Sequence, residues 1–255
     1  MKPRSTGRNT LRRLAVPLSE VFKVLHLKPS VDIMPQVCLS DVNPHILEST
    51  CTELREKYGQ DKVHYQVCDV RDDAQVEDLF SKAKSSFSKL DLVVNNAGVV
   101  DEQDWLKCID INLNGVIRGS LQGIKHMKKE NGGSGGTIVN VASLAGVVPV
   151  SYSPAYAASK HGVVGYTRSW AGHPDMKTND IRFLCLCPAF AKTEILKTKE
   201  GQLLGQKMAE EFMKKTGVMS VDQVTQAFTD LIETPDNSGS VMSVTLQGSK
   251  LLFQV

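Results

Sequence analysis

Two side chains four residues apart, Tyr156 and Lys160, carry the most distinctive chemistry in this sequence. Residues 154–170 are predicted to be helical, so the two side chains share one face of the helix. A free tyrosine has a pKa of about 10 and is a poor base at neutral pH, but a nearby ammonium group stabilises the phenolate and lowers that pKa. Such a tyrosine can remove a proton from an alcohol while hydride leaves the adjoining carbon. The pair therefore predicts interconversion of an alcohol and a carbonyl compound.

The surrounding residues decide what this pair means, because a tyrosine and a lysine at this spacing occur by accident on many helices. Ser143 ends the strand before the helix, where its hydroxyl can orient a substrate oxygen. Residues 95–98, Asn-Asn-Ala-Gly, close a buried strand, and Asn112 lies in the helix that follows. The combination is much more specific than the pair alone.

With these residues the chain resembles the short-chain dehydrogenase/reductase family over about residues 36 to 255. The Asn-Asn-Ala-Gly segment matches the family motif beside the cofactor, which implies that Asn96 contacts the cofactor. The family's catalytic tetrad is matched by Asn112, Ser143, Tyr156 and Lys160. The resemblance implies that Tyr156 is the base and that Lys160 tunes it and holds the nicotinamide ribose. It further implies that Ser143 orients the substrate, that Asn112 supports a proton relay, and that the protein is a homodimer.

The expected cofactor is NAD. Asp41 ends a predicted strand, where its carboxylate can accept hydrogen bonds from the adenosine ribose and would repel the 2′-phosphate of NADP. By resemblance, Asp69 and Val70 contact the adenine, and Thr193 contacts the nicotinamide carboxamide. Helix capping is the alternative interpretation of Asp41, Asp69 and Thr193.

Within the family, the chain is most similar to members that oxidise the 15-hydroxyl of prostaglandins and related oxylipins with NAD. This similarity rests on residues 131–133, 142–146 and 158–165. Ser153 stands where those members tend to have glutamine and is predicted to contact the substrate with Ser143 and Tyr156. Residues 191–219 are expected to cover a lipid substrate, although amphipathic helix packing explains their apolar pattern equally well. The expected apolar wall comprises Phe190, Ile195, Leu196, Leu203, Leu204, Met208, Phe212 and Met213.

From residue 36 onward, short apolar runs alternate with longer amphipathic ones. This alternation predicts an α/β fold, a doubly wound, Rossmann-like parallel sheet in three αβα layers. Ligands of such sheets bind beyond the carboxyl ends of the strands, where the motifs above fall. The predicted strands are residues 37–39, 63–67, 90–95, 137–141, 181–186 and 241–246, and the predicted helices are residues 44–58, 72–87, 103–129, 154–170, 203–215 and 221–232. The helix over residues 103–129 is expected to be either continuous or interrupted by a break.

The first 35 residues do not fit this pattern. Only Gly7 and Gly59 precede Gly98, so the glycine-rich loop that holds the pyrophosphate in this fold cannot be written there. We predict an atypical first βα unit, a sheet without its first strand, and weak NAD binding. Residues 1–35 form a basic N-terminal segment and residues 36–255 the dehydrogenase domain. The basic start is typical of a mitochondrial transit peptide, but a disordered tail or an alternative start is the preferred interpretation.

Composition limits the remaining possibilities. A net charge of +2 over 255 residues argues against nucleic acid or an acidic membrane surface as a partner. No apolar run reaches the length of a membrane span. The six cysteines show no metal-binding or disulfide pattern, which predicts no metal site and favours a reducing, cytoplasmic location. Two alternatives stay open: a non-catalytic, truncated relative that binds a partner or a lipid, and a reductase of another carbonyl compound.

Overall fold

The computed structural model describes the backbone of residues 13–17 and all of residues 36–197 and 201–253. Eight strands form one sheet in the order β3-β2-β1-β4-β5-β6-β7-β8. Neighbouring strands are parallel except β7 and β8, which pair antiparallel. The strands are β1 (Arg13–Pro17), β2 (Gln36–Asp41), β3 (Val63–Val67), β4 (Leu92–Asn95), β5 (Gly136–Val141), β6 (Ile181–Pro188), β7 (Val241–Thr245) and β8 (Gly248–Phe253).

Helices cover both faces of this sheet, so the predicted doubly wound, three-layer α/β fold is confirmed. On β6, Leu184 packs in one core cluster with Phe228, whereas its neighbour Phe183 packs in another cluster with Phe80. Adjacent residues of a strand point to opposite faces, so both faces are buried. The helices are α1 (Pro44–Tyr58), α2 (Asp73–Phe87), α3 (Trp105–Ile109), α4 (Gly115–Met127), α5 (Pro154–Ala171), α6 (Pro174–Thr178), α7 (Gln206–Thr216) and α8 (Val221–Glu233).

The N-terminal segment contributes the strand that we predicted to be missing, so that prediction is wrong. Arg13–Pro17 pairs in parallel with β2 on one side and β4 on the other, in the interior of the sheet. Its apolar stretch is three residues long and follows two arginines, which hid the strand within a basic sequence. The glycine-free residues 18–35 lie outside the described residues.

Side-chain caps begin the first two described helices. The Asn43 side chain accepts hydrogen bonds from the backbone N–H groups of His45 and Ile46 at 3.1 and 3.3 Å, which confirms it as the N-cap of α1. Asp72 caps α2 in the same way. The predicted long helix over residues 103–129 is interrupted, because a π-helical turn at Asp110–Asn114 separates α3 from α4. Strand β8 was not predicted, since it is an edge strand with mostly exposed side chains.

A buried polar network joins the middle of the sheet to two helices. The Asn95 amide donates to the Asn140 side-chain oxygen at 2.8 Å and to the Ser120 hydroxyl at 3.1 Å. The Asn140 amide in turn donates to the Thr167 hydroxyl at 2.9 Å. Helix α4 approaches so closely that a Cβ atom on Gly119 would lie 2.1 Å from Asn95 Oδ1. A side chain at position 119 would therefore have to break the network.

We predict that Gly119→Ala lowers the free energy of unfolding by about 1–3 kcal/mol, because overpacking a well-filled interior costs that much. The matched control is Gly165→Ala in α5, where an added Cβ meets no atom within 4 Å. There alanine is expected to raise stability by about 0.5–1 kcal/mol through its better helix propensity. Urea unfolding measures both variants, and equal stabilities would contradict the prediction.

Candidate active site

A cavity of about 460 Å³ opens beyond the carboxyl ends of β4, β5, β6 and β7. It lies where ligands bind in parallel α/β sheets. Most of its lining is apolar, and its polar lining comes both from the strand ends and from α7. The predicted site residues that line it are Asn96, Ser143, Ser153, Tyr156, Lys160 and Thr193.

Tyr156 and Lys160 both lie in the wall of this cavity, and burial governs both pKa values. Burial raises the pKa of Tyr156 to about 12, against a smaller lowering by a hydrogen bond with Ser143. Lys160 is 3% exposed, and burial lowers its pKa to about 8. The predicted lowering of the tyrosine pKa by Lys160 is therefore not found. The lysine's own charge is poorly solvated, and its Nζ lies 5.8 Å from the centre of the tyrosine ring.

Hydrogen bonds hold Lys160 and the neighbouring Ser143 in place. Lys160 Nζ donates to the Val141 carbonyl at the end of β5, at 3.0 Å. Ser143 begins a short 3₁₀ turn, and its hydroxyl accepts from the Ala145 backbone N–H at 3.2 Å and donates to the Pro188 carbonyl at 3.4 Å. The serine is thus held between the ends of β5 and β6, beside the tyrosine hydroxyl.

Asn112 lies behind the cavity, fully buried in the π-helical turn. Its oxygen accepts from the Val99 N–H at 2.8 Å, and its amide donates to the Val99 carbonyl at 2.9 Å. The amide also donates to the Ser159 hydroxyl at 3.1 Å. The asparagine side chain therefore ties the chain after β4 to the helix that carries Tyr156. Its role in a proton relay stays a prediction.

Glu102 is a site residue that sequence reasoning missed. Its carboxylate accepts hydrogen bonds from the backbone N–H groups of Ala155 and Tyr156, at 3.0 and 2.9 Å. The Ser153 hydroxyl also donates to it, at 3.1 Å. Ser153, predicted to contact the substrate, thus lines the cavity with its hydroxyl engaged by Glu102. No spacing rule could reveal Glu102, because more than fifty residues separate it from its partners.

The predicted adenosine contacts do not line the cavity and lie at the ends of strands on the other half of the sheet. Asp41 ends β2, and its carboxylate accepts from the Asn43 N–H at 2.7 Å. Burial raises the pKa of Asp41. Asp69 follows β3 and pairs with Arg71 at 2.6 Å, which lowers the pKa of Asp69. Val70 packs so closely on α4 that a Cβ on Gly115 would lie 2.8 Å from it.

The cavity fits the nicotinamide end of a dinucleotide. The Asn96 side-chain nitrogen is buried with no hydrogen-bond partner in the described structure, which leaves a donor for a ligand. Gly98 leaves open space next to Lys160, since a Cβ there would lie 3.4 Å from Lys160 Nζ. The amide, the ammonium group and the Tyr156 hydroxyl thus converge on one end of the cavity. The region that would hold the pyrophosphate follows β1 and lies outside the described residues.

The expected apolar wall is present in part. Leu204 and Met208 do not line the cavity and are 69% and 50% exposed. These two side chains therefore neither line the cavity nor show the burial expected from amphipathic packing. The members of the expected wall that do line the cavity are Phe190, Ile195, Leu196, Leu203, Phe212 and Met213.

Comparison with known proteins identifies the family. A family model for short chain dehydrogenases matches residues 34–204. The chain belongs to the short-chain dehydrogenase family. This family consists of oxidoreductases, so the predicted reaction class is confirmed at that level.

Three similar proteins illustrate the relationship. 15-Hydroxyprostaglandin dehydrogenase (NAD(+)) of Macaca fascicularis is 38% identical over 216 residues, which cover 82% of this chain and 81% of that protein. The crystal structure of levodione reductase superposes with a TM-score of 0.76 at 26% identity and covers 92% of this chain and 96% of its own. A short-chain dehydrogenase/reductase from Burkholderia phymatum in complex with NAD has a TM-score of 0.73 at 25% identity, covering 86% of this chain and 85% of its own.

Three further observations concern membrane association, metal binding and the cysteines. In the part of the chain that the structure describes, no helix is both long and apolar enough to cross a membrane. Within that same part, no three His, Cys, Asp or Glu side chains converge where they could hold a metal ion. All six cysteines are buried free thiols.

The buried lysine predicts a stability that rises with pH. Lysine titrates at about 10.5 when solvated and at about 8 at position 160. Between these values the unfolded chain binds the extra proton, so the free energy of unfolding rises with pH by about 3 kcal/mol through this group. Lys160→Met lacks the contribution. Urea unfolding should therefore show wild type gaining about 3 kcal/mol on the variant from about pH 7 to about pH 11. A difference independent of pH would contradict the assignment.

Proposed function

We propose that this protein oxidises a secondary hydroxyl on a lipid to a ketone with NAD, and that the hydroxyl is the 15-hydroxyl of a prostaglandin or related oxylipin. One observation carries the proposal: Tyr156, hydrogen-bonded with Ser143 and with Lys160 Nζ 5.8 Å from its ring centre, lies in the wall of a largely apolar cavity. The relative from Macaca fascicularis, whose name states the same activity, supports the choice of substrate and cofactor.

In this mechanism Tyr156 receives the proton of the substrate hydroxyl. Ser143, fixed between the ends of two strands, turns its single hydroxyl proton from the Pro188 carbonyl to the same oxygen and orients it. Lys160 stabilises the phenolate electrostatically when the lysine is protonated. Because burial raises the pKa of Tyr156, proton removal becomes easier as the pH rises, so oxidation is expected to accelerate with pH.

A bound nicotinamide cofactor would supply the acceptor for the hydride that leaves the carbinol carbon. Asn96 and Lys160 are the residues of this chain suited to hold its nicotinamide and ribose, and Thr193, which also lines the cavity, the carboxamide. Asp41 is placed at the end of β2 to accept hydrogen bonds from the adenosine ribose, which favours NAD over NADP. Asp69 and Val70 are assigned to the adenine.

The apolar cavity supports a long hydrocarbon substrate. Its wall combines side chains from the segment after β6 and from α7 with Val100, Val148 and Val150. Burying an aliphatic chain here contributes about 0.8 kcal/mol per methylene group. A lipid therefore gains binding energy along its length and presents its hydroxyl at Tyr156.

The proposal also covers assembly and location. A homodimer is supported by large apolar side chains exposed on α3 and α4, namely Trp105, Leu106 and Leu121. A cytoplasmic location is supported by the six free thiols. The division of the chain into a segment of residues 1–35 and a domain of residues 36–255 stays a prediction, although the first segment supplies β1.

The test is NADH formation, followed by absorbance, from the purified chain with NAD and prostaglandin E2. Tyr156→Phe removes the proton acceptor and should lower turnover by at least about 100-fold. Tyr58→Phe, which changes the last residue of α1 outside the cavity, is the matched control and should retain wild-type turnover. Equal turnover by wild type and Tyr156→Phe would overturn the proposed role of the tyrosine.

Cofactor choice has its own test. Asp41→Asn keeps an oxygen that can accept from the Asn43 N–H but removes the negative charge. We expect the ratio of kcat/KM with NAD to that with NADP to fall by about 10-fold or more, since the repulsion of the 2′-phosphate is lost. The ratio is measured by steady-state kinetics with both cofactors. An unchanged ratio would assign Asp41 to loop structure alone.

Two observations support other functions. The glycine-free segment after β1 favours a non-catalytic lipid-binding or partner-binding relative, which would show no turnover and no thermal shift with NAD. The raised pKa of Tyr156 favours a reductase, since a phenol that stays protonated at neutral pH is ready to donate a proton to a carbonyl group. NADH consumption with a ketone substrate distinguishes this third reading.

A further inference from the structure

Glu102 holds the start of the helix that carries Tyr156. The first N–H groups of a helix have no acceptor within the helix. Ser153 occupies the N-cap position of α5, but its side chain makes no capping hydrogen bond, and Pro154 has no N–H to offer. The N–H groups of Ala155 and Tyr156 are satisfied instead by the Glu102 carboxylate, at 3.0 and 2.9 Å. A residue from another segment thus fixes the backbone of the tyrosine itself.

No lysine or arginine in the described residues forms an ion pair with Glu102. Its charge is stabilised by three hydrogen-bond donors and by the positive end of α5. Charge-assisted bonds to backbone N–H groups are directional. The carboxylate therefore fixes the position of the first turn of α5 along the helix axis and its rotation about that axis. Tyr156 lies in this turn.

The backbone of the same residue is bound to the wall of the cavity. The Glu102 N–H donates to the Gln202 carbonyl at 3.0 Å, and the Gln202 amide donates to the neighbouring Asp101 carboxylate at 3.3 Å. Two residues later, the Leu204 N–H donates to the Tyr152 carbonyl at 3.1 Å, just before α5. Leu203, between these two attachments, lines the cavity.

We propose that Glu102 is a positioning residue that couples residues 201–205, which contribute Leu203 to the cavity wall, to the placement of Tyr156. The Glu102 backbone is hydrogen-bonded to Gln202, and its carboxylate is hydrogen-bonded to the backbone N–H of Tyr156. A shift of residues 201–205 would therefore also shift Tyr156. Contact of a substrate with Leu203 would thereby stabilise the catalytic geometry rather than substrate binding alone. The kinetic part of this proposal rests on the proposed oxidation.

Hydrogen–deuterium exchange tests the coupling without any turnover. In Glu102→Ala, peptides covering residues 153–157 and 201–205 should exchange faster than in wild type, whereas the second half of α5 should be unchanged. Glu102→Gln keeps one acceptor oxygen and should lie between the two. Glu233→Gln, an exposed acid at the end of α8, is the charge-matched control and should match wild type. Unchanged exchange at residues 153–157 in Glu102→Ala would overturn the proposal.

Steady-state kinetics tests the consequence for catalysis. Glu102→Ala should lower kcat by about 10- to 100-fold with KM changed less than about 3-fold, since misplacing a catalytic group affects the transition state most. Glu102→Gln should recover a large part of kcat. Faster exchange with an unchanged kcat would reduce Glu102 to a structural cap and overturn the positioning role.

The two experiments separate the failure of this inference from failure of the proposed function. If the wild-type chain shows no turnover, the proposed oxidation fails, and the exchange measurement still decides whether Glu102 couples the wall to α5. If Glu102→Ala does not fold, Glu102→Gln carries both measurements. Its exchange and kcat must then depart from those of Glu233→Gln in the stated directions, and agreement with that control would refute the coupling.

Discussion

Burial of the Lys160 ammonium group is the constraint around which the site is built. A buried cation is costly unless it is paired, and within the described residues this one donates to a backbone carbonyl and forms no ion pair with a carboxylate. The cost appears as a lowered lysine pKa, and the same lack of solvent raises the pKa of Tyr156. Both groups are thereby driven toward their neutral forms. A negative phenolate and a positive lysine would stabilise each other. Loss of the tyrosine proton therefore also favours the charged form of the lysine.

This constraint explains why rigid supports surround the pair. Ser143 is held by Ala145 and Pro188, and Asn112 is held by Val99 and Ser159. Each support reaches from the end of one strand to another element, and each is buried or half-buried. In a region with little water, hydrogen bonds of this kind are strong, and an unpaired group is expensive. The supports of the pair therefore reflect the cost of leaving a buried polar group unpaired, and the Asn96 side-chain nitrogen, which has no partner in the described structure, is the exception at this site.

The sequence predicted an element well where local residue types alone determine its bounds. Asn43 followed by Pro44 defines the start of α1, and the apolar run at residues 181–186 defines β6. Strand β1 escaped because three apolar residues beside arginines give almost no periodic signal, and its place is decided by pairing with β2 and β4. The sequence did not predict the π-helical turn for a related reason, since Asn112 in that turn makes buried contacts with residues outside it.

The sequence predicted which residues take part in the chemistry better than it predicted their pKa values. The spacing of Tyr156 and Lys160 places them on one face, but burial, which decides their pKa values, depends on the packing of β5, β6 and α5 together. Glu102 lay beyond prediction because its partners are distant in sequence and include two backbone N–H groups, which leave no signature in residue types.

The glycines of α4 have a consequence for how the molecule can move. Gly115, Gly119 and Gly123 recur every four residues, and the space left by their missing side chains is filled by Val70, Asn95 and Ile138. Each of these three side chains occupies the space beside one glycine. The helix therefore cannot slide along its axis without three simultaneous steric clashes. The steric fit thus fixes α4 relative to the sheet, whereas residues 201–205 are held to Asp101, Glu102 and Tyr152 by hydrogen bonds alone.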